Sequence, residues 1–437
     1  MTLITKTTLP NGLQVLLKEI HSAPLISHWI WYRVGSKDEK PGITGSSHWV
    51  EHMQFKGTEQ FPAGFLDRAI SREGGIWNAL TYLDWTTYFE TMPAEKIDLA
   101  LRLEADRMVN SKFDPEEVER ERSVIISERQ GNENEPLFQL GEAVQSTSFR
   151  LHSYHHEVIG DLVDLQSMQR DDLYEHYQQH YCPSNAVLAL AGDFNSEEML
   201  DRIQQLYAPI LPGKLPARSS QPEPLQKEEQ RVNLEGPGET VYVQLAYHVP
   251  SAIHPDFLPL LVADSLLSGP GNLNMFSEGL SNKTSRLYRA LVEQERAISI
   301  FGGLQATVDP FLYAITAIVH PESSPAEITE TIDEEIYKLQ ENPPVVEELT
   351  RAMKQARALF AYGSESITNQ AFWLGFSEII ASYDWFTSFL PNLELITPED
   401  VQRVTKEYLT PQKRTLGIYK PVVDLSTQEH FSYDGSI

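Results

Sequence analysis

Five consecutive residues, His48-Trp49-Val50-Glu51-His52, carry three side chains able to work on one small cation. His48 and His52 are four residues apart, so on a helix they leave one face about one turn from each other. That spacing lets two imidazoles reach a zinc ion at ~2.0–2.1 Å. Glu51 lies close to the same face, where its carboxylate can approach a water in the metal's open position without ligating the metal. A catalytic zinc takes three protein ligands and keeps a fourth position open, so one carboxylate or histidine must come from another element. Glu128 is the choice. It sits on an acidic helix with Glu121 seven residues earlier, two turns away on nearly the same face. One carboxylate would bind zinc while the other accepts a hydrogen bond from a ligand imidazole and fixes its tautomer. The plainer alternative is a helix whose two histidines merely bond to neighbours. Beside apolar Trp49, Val50 and Phe55, such groups would need partners if buried.

Around these residues the sequence lays down helices and strands in a repeating order. TGSSHWVEHMQFKGT reads as the metal helix, with Thr44, Ser46 or Ser47 as N-cap and Gly57 past its end. DPEEVERERSVIISERQ, residues 114–130, opens with a proline and acidic residues suited to a helix N-terminus. Residues 94–110 repeat apolar positions at helical spacing. GGIWNALTYLDWTTYFETMP, between the metal helix and these, favours strands. LPNGLQVLLKEI and LISHWIWYRVGS read as strands, with a turn at Asn11-Gly12. In the second half QRVNLEG and TVYVQLAYHVP take the matching places, followed by a helix in HPDFLPLLVADSLLSG. Residues 211–230, rich in Pro, Ser and charge, read as a linker between domains at 1–210 and 231–437. The order predicts a duplicated α+β domain.

Composition sets the outer limits. A chain of 437 residues exceeds one ordinary core, and 41% hydrophobic with 22% charged residues is the balance of a soluble globular protein. No apolar run approaches the ~18 residues of a membrane span. The N-terminus alternates like a strand and lacks the pattern of a signal peptide, so the expected location is cytoplasmic. One cysteine, Cys182, excludes an intramolecular disulfide and any cysteine metal cluster, and its setting suits packing. A net charge of −27 argues against nucleic acid. It would favour cationic partners or substrates if it lines a cavity, and otherwise marks a solvated acidic surface.

HWVEH has the form of an inverted zinc motif, H-x-x-E-H, found among metallopeptidases. With its surroundings it resembles the pitrilysin-type zinc peptidases, and in particular their short members, which include the beta subunit of mitochondrial processing peptidase and bacterial homologues. The resemblance runs through LPNGLQV, GSSHWVEHMQFKGT, GGIWNALTYLDWTTYF, ERSVIISERQ and YCPSNAVLALAGDF. It implies two homologous domains, each a mostly antiparallel sheet with helices packed on it, forming half of a clam-shell. It implies one Zn²⁺ per chain held by His48, His52 and Glu128, with Glu51 as general base and Glu121 behind a ligand. It places Asn78, Ala79 and Thr81 on an edge strand where an extended peptide substrate would add by main-chain hydrogen bonds.

The sequence also departs from that family. An Arg and, seven residues on, a Tyr normally help hold the oxyanion from the second domain. Aligned on SRLYRALVEQERAISIFGG, those positions carry Val292 and Ser299, which cannot replace such donors. Arg286 and Tyr288 belong to the preceding helix and read as surface or packing residues. The expectation is therefore the zinc-bearing subunit of a heterodimer whose related partner supplies the pair, with a homodimer as the variant. The rivals are a non-catalytic structural or binding subunit and a dedicated presequence-processing protease. Among lesser candidates, His152, His155 and His156 read as a structural turn, and Gly269 to Asn272 as a helix-ending loop. Glu133 and Glu135 read as a solvated acidic loop.

Overall fold

A computed structural model describes residues 4–216, 221–271, 273, 274 and 279–422. Six strands form the first sheet: β1 (Thr5–Thr8), β2 (Gln14–Glu19), β3 (Leu25–Tyr32), β4 (Ile76–Thr81), β5 (Thr86–Pro93) and β6 (Ala186–Gly192). Five form the second: β7 (Gln230–Gly236), β8 (Tyr242–Val249), β9 (Ala297–Leu304), β10 (Phe311–Val319) and β11 (Arg414–Pro421). Their orders are β1-β2-β6-β3-β5-β4 and β7-β11-β8-β10-β9. Without β1, the first order is the second one strand for strand. Each sheet has one parallel pair, β2 with β6 and β7 with β11, and is otherwise antiparallel. The α+β duplication expected from the order of elements is thus present in topology and pairing.

β3 and β6 show no alternation of burial; nearly every residue is buried. The reason is that both faces are covered. Ile26, Ile30, Tyr32, Leu188 and Leu190 join a core with the helices of the first half. Trp29, Trp31, Val187 and Ala189 join a core dominated by the second half. The covering element there is the helix Ile367–Ile380, which lies on β3 and β6 although the chain places it far downstream. The exchange is reciprocal, because Pro136–Ser148 packs on β7, β8 and β11, with Leu140 and Val144 beside Ala246 and Tyr419.

Each crossing helix meets its sheet at a glycine. A Cβ on Gly375 would strike the Trp31 indole, and one on Gly417 would strike Val144 and Leu140. The chain passes from one sheet to the other through residues 211–229, which hold no helix or strand where described. This segment is pinned to the first half: Glu223 accepts the amides of Arg150, Leu151 and His152 at 2.8–3.0 Å. Cys182 is buried, and Gly213 of the same segment passes directly over it.

Replacing either contact glycine by alanine should cost about 1–3 kcal/mol through overpacking. Because each helix ties one half to the other's sheet, Gly375→Ala and Gly417→Ala should lower the denaturant midpoint of both halves together. Probes in the two halves that shift separately would show that the crossings do not couple them.

Candidate metal centre

The motif helix runs from Ser46 to Met53 and buries Trp49, Val50 and Met53 against the first core. Its opposite face carries His48, Glu51 and His52. The start of this helix differs from the sequence expectation. Its N-cap is Gly45, in the left-handed region at φ +86°, and no side chain of Thr44, Ser46 or Ser47 caps it. A buried carboxylate does so from outside: Glu39 accepts the amides of Gly45 and Ser47, each at 2.7 Å. Gly45 is required here, since a Cβ would collide with the Ile159 carbonyl. Thr44 turns away to donate to Asp164 at 2.7 Å. The helix also ends earlier than expected, at Met53, and Gly57, at φ +91°, forms an isolated bridge with Pro62.

The acidic helix spans Pro115–Glu133, capped by Asp114, which accepts the Glu116 amide at 2.9 Å. Glu121, Ile125 and Glu128 follow one stripe at i, i+4 and i+7. Arg122 clamps this helix in place: it donates to the Met168 carbonyl at 2.8 Å and lies 4.8 Å over the Trp49 ring.

Across this joint the donors converge. The Glu128 carboxylate stands 3.8 Å from His48 Nε2 and 3.8 Å from His52 Nε2. Ligand atoms of the three residues all lie within 4.8 Å of one another, and among the described residues no other group of His, Cys, Asp or Glu is so placed. A separation of 3.8 Å is too long for a hydrogen bond. It is near the ~3.4 Å between donors on a tetrahedral ion with ~2.0–2.1 Å bonds. His52 Nδ1 donates to Glu121 Oε2 at 3.0 Å, leaving the Nε2 lone pair turned toward Glu128. Burial pushes His48 down to about 3, with the His52 charge adding to it, so this imidazole is neutral as a ligand must be. The donor set, its spacing and the His52 tautomer fit a zinc ion.

Glu51 shares this face. Burial raises its carboxyl above the ordinary value, while a hydrogen bond from Thr81 works the other way. Burial would also raise Glu121, but the bonds from His52 and Lys56 carry it below the usual carboxylate range. Lys56, paired with Glu121, lies beyond the end of the motif helix at Met53, so helical spacing does not point to it. Glu39 carries no such signal either, because its partners are backbone amides and a distant imidazole.

Among the described residues β4, with Asn78, Ala79 and Thr81, pairs only with β5 and forms one edge of its sheet. Asn78 is exposed and its Oδ1 accepts the Ala79 amide at 2.9 Å; Thr81 is buried and turned to Glu51. In the second half Val292 ends a π-helical turn, Tyr288–Val292, and Ser299 lies on β9. Arg286 makes two bonds to Glu348, at 3.1 and 2.7 Å, and Tyr288 packs against the second core. His156 bonds Glu39 at 3.0 Å and His152 bonds Asp309 at 3.3 Å, while His155 rests edge-on against His156. These three brace a turn. Gly269 follows the helix Phe257–Leu267 at φ +112°, whereas Asn272 lies outside the described residues. Glu133 accepts from Arg129 at 2.9 Å, and Glu135 precedes the first crossing helix.

Among the described residues no helix is long and apolar enough to cross a membrane. A family profile described as "Insulinase (Peptidase family M16)" matches residues 14–162, and one described as "Peptidase M16 inactive domain" matches residues 167–356. The chain is 28% identical to the zinc protease PqqE of Helicobacter pylori, over 95% of this chain and 92% of that protein. It is 26% identical to a probable beta subunit of mitochondrial-processing peptidase from Arabidopsis thaliana, over 97% and 80%. A crystal structure of a protease from Helicobacter pylori superposes with a TM-score of 0.90 at 26% identity, covering 96% of this chain and all of that one. The chain belongs to the insulinase, or M16, family of peptidases.

Proposed function

We propose that this chain is a zinc-dependent endopeptidase, cutting peptides or unfolded segments inside a dimeric chamber as the zinc-bearing subunit of a heterodimer. The observation that carries the reading is the convergence of His48, His52 and Glu128 beside a half-buried Glu51. Relatives named as zinc proteases support the choice of metal.

Each residue then has a task. His48, His52 and Glu128 would hold the ion, and Glu121 with Lys56 would hold His52 in the tautomer that presents Nε2. Zinc, when bound, supplies a Lewis acid that polarises the scissile carbonyl and acidifies a water. Glu51 takes the water proton, which its raised value favours, and returns it to the more basic leaving amine. The peptide lies along β4, where its main chain would replace the Asn78 side chain at the Ala79 amide. Neither Val292 nor Ser299 can stabilise the oxyanion strongly, and Arg286 is committed to Glu348. A related Arg- and Tyr-bearing subunit supplies those donors in this reading.

Glu51→Gln should leave one zinc per chain and lower kcat by ~10²–10⁴-fold, the usual worth of a general base. Zinc analysis beside a peptide-hydrolysis assay checks both. A wild type that binds no zinc would instead favour a binding or structural subunit.

Glu121→Gln is expected to weaken zinc affinity ~10–100-fold, as loss of a partner behind a ligand does. Competition with a chelator measures it, and an unchanged affinity would remove Glu121 from the metal's support.

Adding the related subunit should raise hydrolysis by at least ~100-fold, the worth of one oxyanion donor. Full activity of the purified chain as a homodimer would sink the heterodimer reading.

A further inference from the structure

The residue that the edge-strand argument offers to substrate, Thr81, points the other way. Its side chain is buried and its hydroxyl lies 2.6 Å from Glu51 Oε2. We infer that Thr81 is a positioning residue for the base: it fixes Oε2 of Glu51 and reserves Oε1 as the oxygen that carries the proton. The inference rests on the proposed peptidase reading of this site.

The direction of the bond follows from the donors available. An ionised carboxylate has no proton to give, so Thr81 must donate. Its neighbour across the strand pair is Thr86, fully buried, with Oγ1 at 3.4 Å from Thr81 Oγ1. Thr86 has one proton, and the Val34 carbonyl takes it at 2.9 Å. Tyr181 stands behind, its hydroxyl 3.4 Å from Thr86 Oγ1. The hydroxyls are therefore oriented away from Tyr181, and the Thr81 proton has one good acceptor, Glu51 Oε2. It stays there throughout the reaction.

The proton path is then assigned atom by atom. A water O–H bond breaks, the proton passes to Glu51 Oε1, and the water oxygen bonds to the scissile carbon. When the C–N bond breaks, the proton leaves Oε1 for the departing nitrogen, and Glu51 is ionised again. No co-reactant is consumed. Thr81 also belongs to the same strand as Asn78 and Ala79, so the group that holds the base and the proposed peptide-binding edge share one element. A glutamate on a helix otherwise turns freely about three bonds, and a displacement of about 1 Å at a reacting group costs ~10²-fold in rate.

Thr81→Val keeps the branched shape and removes the donor, whereas Thr81→Ser keeps the donor. In the zinc-loaded protein, the valine variant should retain its metal and lose kcat by ~30–100-fold with KM within about 2-fold. The serine variant should stay within about 3-fold of wild type in both. Thr81→Ala gives the same comparison should valine not be accommodated. A second readout needs no turnover: the infrared carboxylate band that disappears in Glu51→Gln should shift in the valine or alanine variant and hold still in serine. A raised KM with unchanged kcat would make Thr81 a substrate contact and overturn the inference, as would an infrared band indifferent to all three changes. If the zinc-loaded wild type hydrolyses nothing even with the related subunit added, the peptidase reading fails, while the infrared band still decides whether Thr81 holds Glu51.

Discussion

A helix that presents two metal-ligand side chains must start at a fixed place, and here a buried carboxylate sets that place. The first amides of an α-helix have no partners within it, so something outside must accept them. Glu39 accepts two, from Gly45 and Ser47, and bonds His156 with the same group. It thereby links the motif helix to the 153–155 turn, whose neighbour Asp309 belongs to the second half. Because the carboxylate is out of contact with water, every one of its bonds must be made together or the charge is left uncompensated. The position of His48 and His52 along the chain axis follows from it. Lateral position follows from a separate contact, the Arg122 clamp onto Trp49 and the Met168 carbonyl.

The same requirement, satisfied by long-range parts, recurs in the sheets. β3 carries Trp29 and Trp31 on one face and Ile30 and Tyr32 on the other, so the first sheet is complete only when Ile367–Ile380 lies on it. The second sheet is likewise completed by Pro136–Ser148. The strand bearing Thr81 pairs with β5, β5 with β3, and β3 is sealed by a helix from the far end of the chain. The half with the candidate metal centre is therefore built on a platform that the other half finishes.

These dependencies explain what could be read from residues alone. His48, Glu51 and His52 were legible because a helix places neighbours at three- and four-residue spacing. Duplication was legible from the order of strands and helices, although identity between halves is weak. Glu128 became definite only through resemblance, since spacing within one helix says nothing about which face meets another. The helix start was misread because Ser and Thr are good caps in general, while here space allows only a glycine and the cap comes from Glu39. The crossing helices were invisible, as apolar periodicity does not name the sheet that covers it. So was the buried group of His28, Glu90, Glu104 and Arg107, where Arg107 lies 4.0 Å over Tyr88. Charged residues in a pattern are assigned to solvent unless their partners are known.

Charge at the site points to a divalent ion by another route. Glu121 is balanced by Lys56, and His48 is neutral. Glu51 and Glu128 remain as two carboxylates, and the charge of Glu128 adds to the upward push on Glu51. A divalent ion bound by two imidazoles and Glu128 would turn that repulsion into attraction and leave the set near neutrality. A monovalent ion would leave a negative charge beside a base that must accept a proton and release it. The acidic residues here thus ask for a hard-to-soft borderline dication with room for nitrogen and oxygen ligands, which is the preference of zinc. What the balance does not provide is positive charge on the far side of a substrate carbonyl. In the proposed heterodimer that charge would arrive with the partner subunit, since Arg286 is held by Glu348.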